Sequence, residues 1–189
     1  MNQIVVAGAT LLASVGGYLL AGLNERRRDE RTMQRELRLR VSEREAQLDD
    51  DRHALQRETL LALQDAVQAM ARYTGQAMHF DHMQARQGKY TQLPNALSDD
   101  TFANLIKVRS LASRILDSGV RDAVDGFIGL SARLSTSPKD LEGLVGDRLE
   151  DHALAKLVEL DDGYAAVSRM LGEAARREIA WQPADRTSA

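Results

Sequence analysis

Hydrophobic and polar positions are patterned in three different ways along this chain, and each pattern predicts a different element. Ile4 to Leu23 reads IVVAGATLLASVGGYLLAGL, without one charged residue. At the helical rise of about 1.5 Å per residue, a run of this length covers the roughly 30 Å hydrocarbon core of a bilayer, so a transmembrane helix is expected over 1–23. A cleaved signal would want a basic start, a shorter apolar core and small residues at a cleavage site. Met1-Asn2-Gln3 holds no Lys or Arg, and Leu19 to Leu23 shows no A-x-A pattern. A buried soluble helix rarely needs so long an uncharged run. Residues 24–57 are nearly all polar, with Glu and Arg three or four apart and neither Pro nor Gly. That predicts a charged helical stalk.

The third pattern starts near residue 58. Leu60, Leu63, Val67, Met70, Thr74 and Ala77 step by three and four, with Ala66, Ala71 and Met78 widening the stripe, and predict a core-facing helix to about Gln87. Gly88 and Pro94 bracket a loop from Gly88 to Ser98. Ser98-Asp99-Asp100 then reads as a capped start. A second helix is expected to run to about Asp117. Its apolar positions, among them Phe102, Leu105, Ile106, Val108, Leu111, Ala112, Ile115 and Leu116, cover more than one face, which predicts a central helix. After Ser118-Gly119, the positions Val120, Val124, Phe127, Ile128, Leu130 and Leu134 mark a third helix. Ser137, Pro138 and Asp140 form a helix-start signature. The fourth helical region, Leu141 to about Trp181, carries Gly143, Gly146 and Gly163, so a break near Gly146 or Gly163 is expected. Pro183 to Ala189 reads as a disordered tail. The fold class expected is all-α, with a transmembrane helix at 1–23, a stalk at 24–57 and an antiparallel four-helix bundle at 58–182.

Composition agrees with helices. Aromatic residues make up only 4% of the 189, and Pro occurs 3 times. Without cysteine there is no disulfide framework, thiolate site or catalytic thiol. A net charge of -3 gives no global attraction to nucleic acid, so none is expected as a partner. The local charge is more informative. Arg26, Arg27 and Arg28 abut the span, and no Lys or Arg precedes Ile4. That asymmetry predicts a single-pass protein in the cell membrane, N-terminus outside and C-terminal domain in the cytoplasm. The lipid bilayer is thus the partner of residues 4–23.

Two features bear on a homodimer. Ala13, Gly17 and Ala21 recur every four residues, marking a face where two spans can approach closely. The alternative is chance spacing in a run rich in small residues. In the stalk, Val41, Leu48 and Leu55 recur every seven residues, but the second seam holds Arg44, Asp51 and Glu58. A coiled coil wants both seams apolar, so a solvated helical linker is the first reading and a parallel dimer stalk the second.

Chemistry-bearing motifs are few: no Gly-rich phosphate loop, no Gly-x-Ser-x-Gly elbow and no Glu-x-x-His pair occurs. The best candidate is His79-Phe80-Asp81-His82. His79 and His82 share a helix face three residues apart, so two imidazoles could reach one metal. A third ligand would have to come from elsewhere, for instance His152, and the plainer reading is polar residues at a helix end. No cofactor is expected. Asp49-Asp50-Asp51 and Asp161-Asp162 read as solvated faces, and Met70, Met78 and Met83 as core filler.

Leu60-Leu61-Ala62-Leu63-Gln64-Asp65-Ala66, the loop Leu93-Pro94, and Ser110-Leu111-Ala112-Ser113-Arg114-Ile115 followed by Asp117 resemble uncharacterised small single-pass helical membrane proteins of high-GC actinobacteria. The preference for Arg over Lys fits such a genome. The likeness covers roughly residues 60–134 and implies no site residues, since that group has no established activity. The expected function is a membrane-anchored interaction or scaffold protein with an unidentified protein partner. The alternative is a membrane-tethered metal-dependent or other bundle enzyme.

Overall fold

The computed structural model describes the backbone of residues 2–135 and 138–181 and the side chains of residues 28–135 and 140–181. The apolar side chains of residues 4–23, the face Ala13, Gly17 and Ala21, the residues Arg26 and Arg27, the cap Ser137 and the tail 183–189 lie outside that description. Among the described residues, no helix is long and apolar enough to cross a membrane. The chain is all-helical there, with no strand: α1 Asn2–Arg86, α2 Asn95–Ala112, α3 Ser118–Leu134, a short 3-10 turn Pro138–Leu141, and α4 Asp147–Ala180.

Two compact units divide the chain, Met1–Asp50 and Asp51–Ala189. In the first, the side chains described from Arg28 onward are nearly all exposed, including the apolar Met33, Leu37, Val41 and Leu48. A helix of this kind is held by local terms: good intrinsic formers, i to i+4 charge pairs, and Thr32 donating its hydroxyl to the Arg28 carbonyl at 2.9 Å.

The second unit is the bundle. Polar contacts between helices give its topology. Asn104 donates to the Ala66 carbonyl and Gln56 to the Arg114 carbonyl, so α2 runs antiparallel to α1. His53 meets Glu178 and His82 meets Glu150, so α4 is antiparallel to α1 as well. Arg177 meets Asp117 and Arg133 meets Glu159, which sets α3 antiparallel to α4. The core between these helices includes Leu60, Leu63, Val67, Val108, Val120, Val124, Phe127, Val167 and Leu171. Full burial of side chains of this size stabilises by about 1.5–3 kcal/mol each before the entropy of ordering is subtracted.

The stripe predicted on the first bundle helix is buried from Leu60 to Ala77. It also reaches one turn further back than the residue-57 limit of the stalk, because Gln56 is only 6% exposed and His53 contacts α4. The second helix differs more. It starts at Asn95, directly after Pro94 and without a side-chain cap, three residues before Ser98. It ends at Ala112 instead of Asp117, and it is an edge helix: Val108 and Ala112 are buried, whereas Phe102 is 64% and Ile106 53% exposed. Residues 113–117 leave the helix because their backbone groups find other partners. The Leu116 amide donates to Gln56 Oε1 at 3.0 Å, and Arg121 donates to the Ile115 and Leu116 carbonyls. Asp117 then caps α3, accepting from the Val120 amide at 3.1 Å.

Pro138 and Asp140 open only a single 3-10 turn. Gly143 and Gly146 follow at φ 79° and 54°, a left-handed region that glycine enters at little cost, and α4 begins at Asp147. Of the two expected breaks, the one at Gly146 exists. At Gly163 the helix continues, and there the glycine serves packing: a Cβ on it would overlap Leu130 Cδ2 on α3. Among the methionines read as filler, Met70 is buried and Met78 packs against the core, whereas Met83 is exposed.

Candidate functional site

Leu134 of α3 belongs to the main core, whereas Leu141 belongs to a small apolar cluster with Ala85 and Leu149. Between them lies a cavity of about 160 Å³, at the end of the bundle where α1 finishes and α4 begins. From α1 it is lined by Gly75, Met78, His79, Asp81 and His82, and from α4 by His152, Ala153, Lys156 and Leu157. The helical repeat explains the convergence. His82 continues the core-facing line of Thr74 and Met78, while His152 and Lys156 continue that of Leu149, Leu160 and Val167. The positions that elsewhere carry apolar core residues are polar at this end.

The His79-Asp81-His82 segment and His152 therefore meet at one cavity. His79 is exposed at its rim, whereas His82, Asp81, His152 and Lys156 are half-buried. His82 Nε2 lies 3.3 Å from Glu150 Oε2, and Arg86 Nε lies 3.6 Å from the other oxygen of that carboxylate. Among the described residues His82 Nδ1 has no hydrogen-bond partner although it is buried, and the same holds for His152 Nε2. Both nitrogens are closed off from solvent, so the cavity is lined by other atoms of these two residues.

Charge at the site is nearly compensated. Lys156 Nζ lies 4.0 Å from Asp140 Oδ2. Burial holds the Asp81 carboxyl above the ordinary aspartate value of 3.8, with the Lys156 ammonium pulling it the other way. As for metal, no group of three His, Asp or Glu side chains among the described residues is placed to hold an ion. His79, His82 and His152 share the cavity, yet they do not form a ligand set of the size a stable zinc site requires.

Lys156 is the lining residue that sequence reasoning missed. Its signal was available: it lies three and four residues from Ala153 and Leu160, on a face otherwise apolar. No protein-family model, curated protein or solved structure matches the chain.

Proposed function

We propose that this protein is a single-pass, membrane-anchored interaction protein whose bundle faces the cytoplasm and docks a protein partner through α2. The observation that carries the docking is the outer face of α2, where Phe102 and Ile106 stand one turn apart and open to solvent, opposite the buried Val108 and Ala112. Large apolar side chains side by side on an otherwise charged surface are a common mark of docking sites. The anchoring rests on the uncharged run Ile4–Leu23, and the orientation on Arg26, Arg27 and Arg28 immediately after it. The likeness of residues 60–134 to small single-pass helical membrane proteins agrees with this reading.

A photo-crosslinking residue at position 102 in the native host tests the docking. A discrete crosslinked species is expected there and not from the same probe at Arg72, an exposed charged position on α1. Equal labelling at both positions refutes the docking role of α2.

The cavity favours a second reading, a membrane-tethered bundle enzyme. Imidazoles beside a carboxyl whose pKa burial raises above the ordinary aspartate value are groups suited to general acid–base work. The donor geometry lends its metal-dependent form no support.

A further inference from the structure

Independently of the docking through α2, we infer that residues 28–50 of α1 pair in parallel with the same segment of a second copy of this chain. Leu37, Val41 and Leu48 are each more than half exposed on a segment otherwise rich in charge, and nothing among the described residues covers them. Val41 and Leu48 stand seven residues apart on the first seam of the heptad, which Leu55 continues in the sequence. Leu37 lies on the second seam, four residues before Val41. Apolar residues spaced by four and seven on a solvated helix form the stripe along which two helices wind round each other. A valine on the first seam with a leucine on the second favours two strands.

The charged second seam decides the direction. Parallel helices set each seam against itself, whereas antiparallel helices set the first seam against the second. Antiparallel pairing would thus press Val41 and Leu48 onto the seam that holds Arg44 and Asp51. Parallel pairing keeps Val41 on Val41 and Leu48 on Leu48. The charges find complements in that arrangement as well. A second-seam side chain of a parallel pair stands beside the next residue of the other helix, so Arg44 meets Glu45 of the second copy. The same step from a charge to its opposite recurs in the sequence at Asp51 and Arg52. Arg40 reaches Glu45 of the second copy from the flank, five residues on. Polar seam positions of this kind lower stability and fix register. The membrane anchor proposed above would hold two copies in the same sense and raise their local concentration, but the seams select the parallel sense without it.

The experiment uses the full chain expressed in its host, where one introduced cysteine is the only thiol of the chain because the sequence has none. Val41→Cys and Leu48→Cys, each alone, are expected to give a disulfide-linked dimer under mild oxidation at least about tenfold faster than Leu39→Cys, since paired seams hold the two thiols together. Leu39 is similarly exposed and lies off both seams. Leu48→Asp added to Val41→Cys should slow that crosslink about tenfold. All of these positions are exposed, so the bundle is left to fold as before. A chain that stays monomeric with cysteine at 41 and 48 overturns the proposal and leaves a solvated helix. An equal rate at 39, or no effect of Leu48→Asp, overturns it as random encounter. Crosslinking of these positions to a different protein overturns it as well. Scoring in the same samples whether the chain pellets with membranes separates loss of the anchor from loss of pairing.

Discussion

Gln56 shows how one side chain can decide where a helix stops. Its amide donates to the Arg114 carbonyl at 2.9 Å and accepts from the Leu116 amide, so it replaces two bonds that α2 would otherwise have made by continuing. Gln56→Leu keeps the volume but leaves both backbone groups, in a partly buried place, without that partner. A loss of about 1–2 kcal/mol is expected, on the scale of about 0.5–1.5 kcal/mol for each hydrogen bond lost, and urea unfolding reads it. Asp81 makes the opposite prediction. Burial raises its carboxyl pKa in the folded state, so the folded protein holds that proton more tightly than the unfolded chain does. Its contribution is therefore present below the unfolded value of about 3.8 and is lost as pH rises through the folded one. Asp81→Asn is expected to melt above the parent at pH 7 and level with it at pH 3. A melting gap that is equal at both pH values would contradict the burial argument.

Among elements, the α3–α4 pair is the most sharply specified. Gly163 lets Leu130 seat against α4 beside Phe127, whereas Gly126 and Gly129 of α3 have nothing within 4 Å of where a Cβ would stand. Alanine at either α3 position should stabilise by roughly 0.5–1 kcal/mol through helix propensity. Gly163→Val should instead cost about 1–3 kcal/mol, since Leu130 is buried and must leave its rotamer or push the helices apart. If all three substitutions shift the thermal midpoint alike, the close approach at Gly163 is not what holds the pair. At the other end of α4, His53 Nδ1 lies 2.5 Å from Glu178 Oε2, and its ring stacks on Trp181 with centroids 4.0 Å apart. Because the chain has one tryptophan, His53→Ala should red-shift the whole emission spectrum and cost about 1 kcal/mol. Unchanged emission would show that the stack does not persist in solution.

On the scale of the molecule, the bundle unit beginning at Asp51 carries its own core, and the helical segment before it is exposed and charged from Arg28 onward. A fragment starting at Glu45 is accordingly expected to be soluble and helical and to melt in one cooperative step. Aggregation or a gradual melt would contradict an autonomous core. The proposed orientation has its own check. A phosphatase that works only outside the cytoplasm should be silent when fused to the C-terminus, and a fluorescent protein that matures only inside should be bright. The opposite pattern would remove the cytoplasmic assignment and with it any cytoplasmic partner.

The buried stripes on α1 and α3 were legible in the sequence because amphipathic periodicity is local: spacing by three and four places Leu60, Leu63 and Val67, or Val120, Val124 and Phe127, on one face whatever they later meet. In the fourth helical region the reading holds in part: Leu149, Leu160, Val167 and Leu171 are buried, whereas Val145, Leu154, Leu157 and Ile179, expected on the same stripe, are exposed. The His79–His82 segment was legible for the same reason, as was the need for any third partner to come from a distant stretch such as His152. What only tertiary structure decided were matters of who stands opposite whom. Phe102 and Ile106 look like core residues by type, and α2 is an edge helix because nothing among the described residues covers them. Ser98-Asp99-Asp100 is a sound local cap, yet the helix starts at Asn95, where the fixed φ of Pro94 brings the chain out of the loop. Gly146 and Gly163 carry the same intrinsic cost in a helix. One becomes a break at positive φ and the other a contact point, because Leu130 packs over Gly163 and nothing among the described residues packs on Gly146.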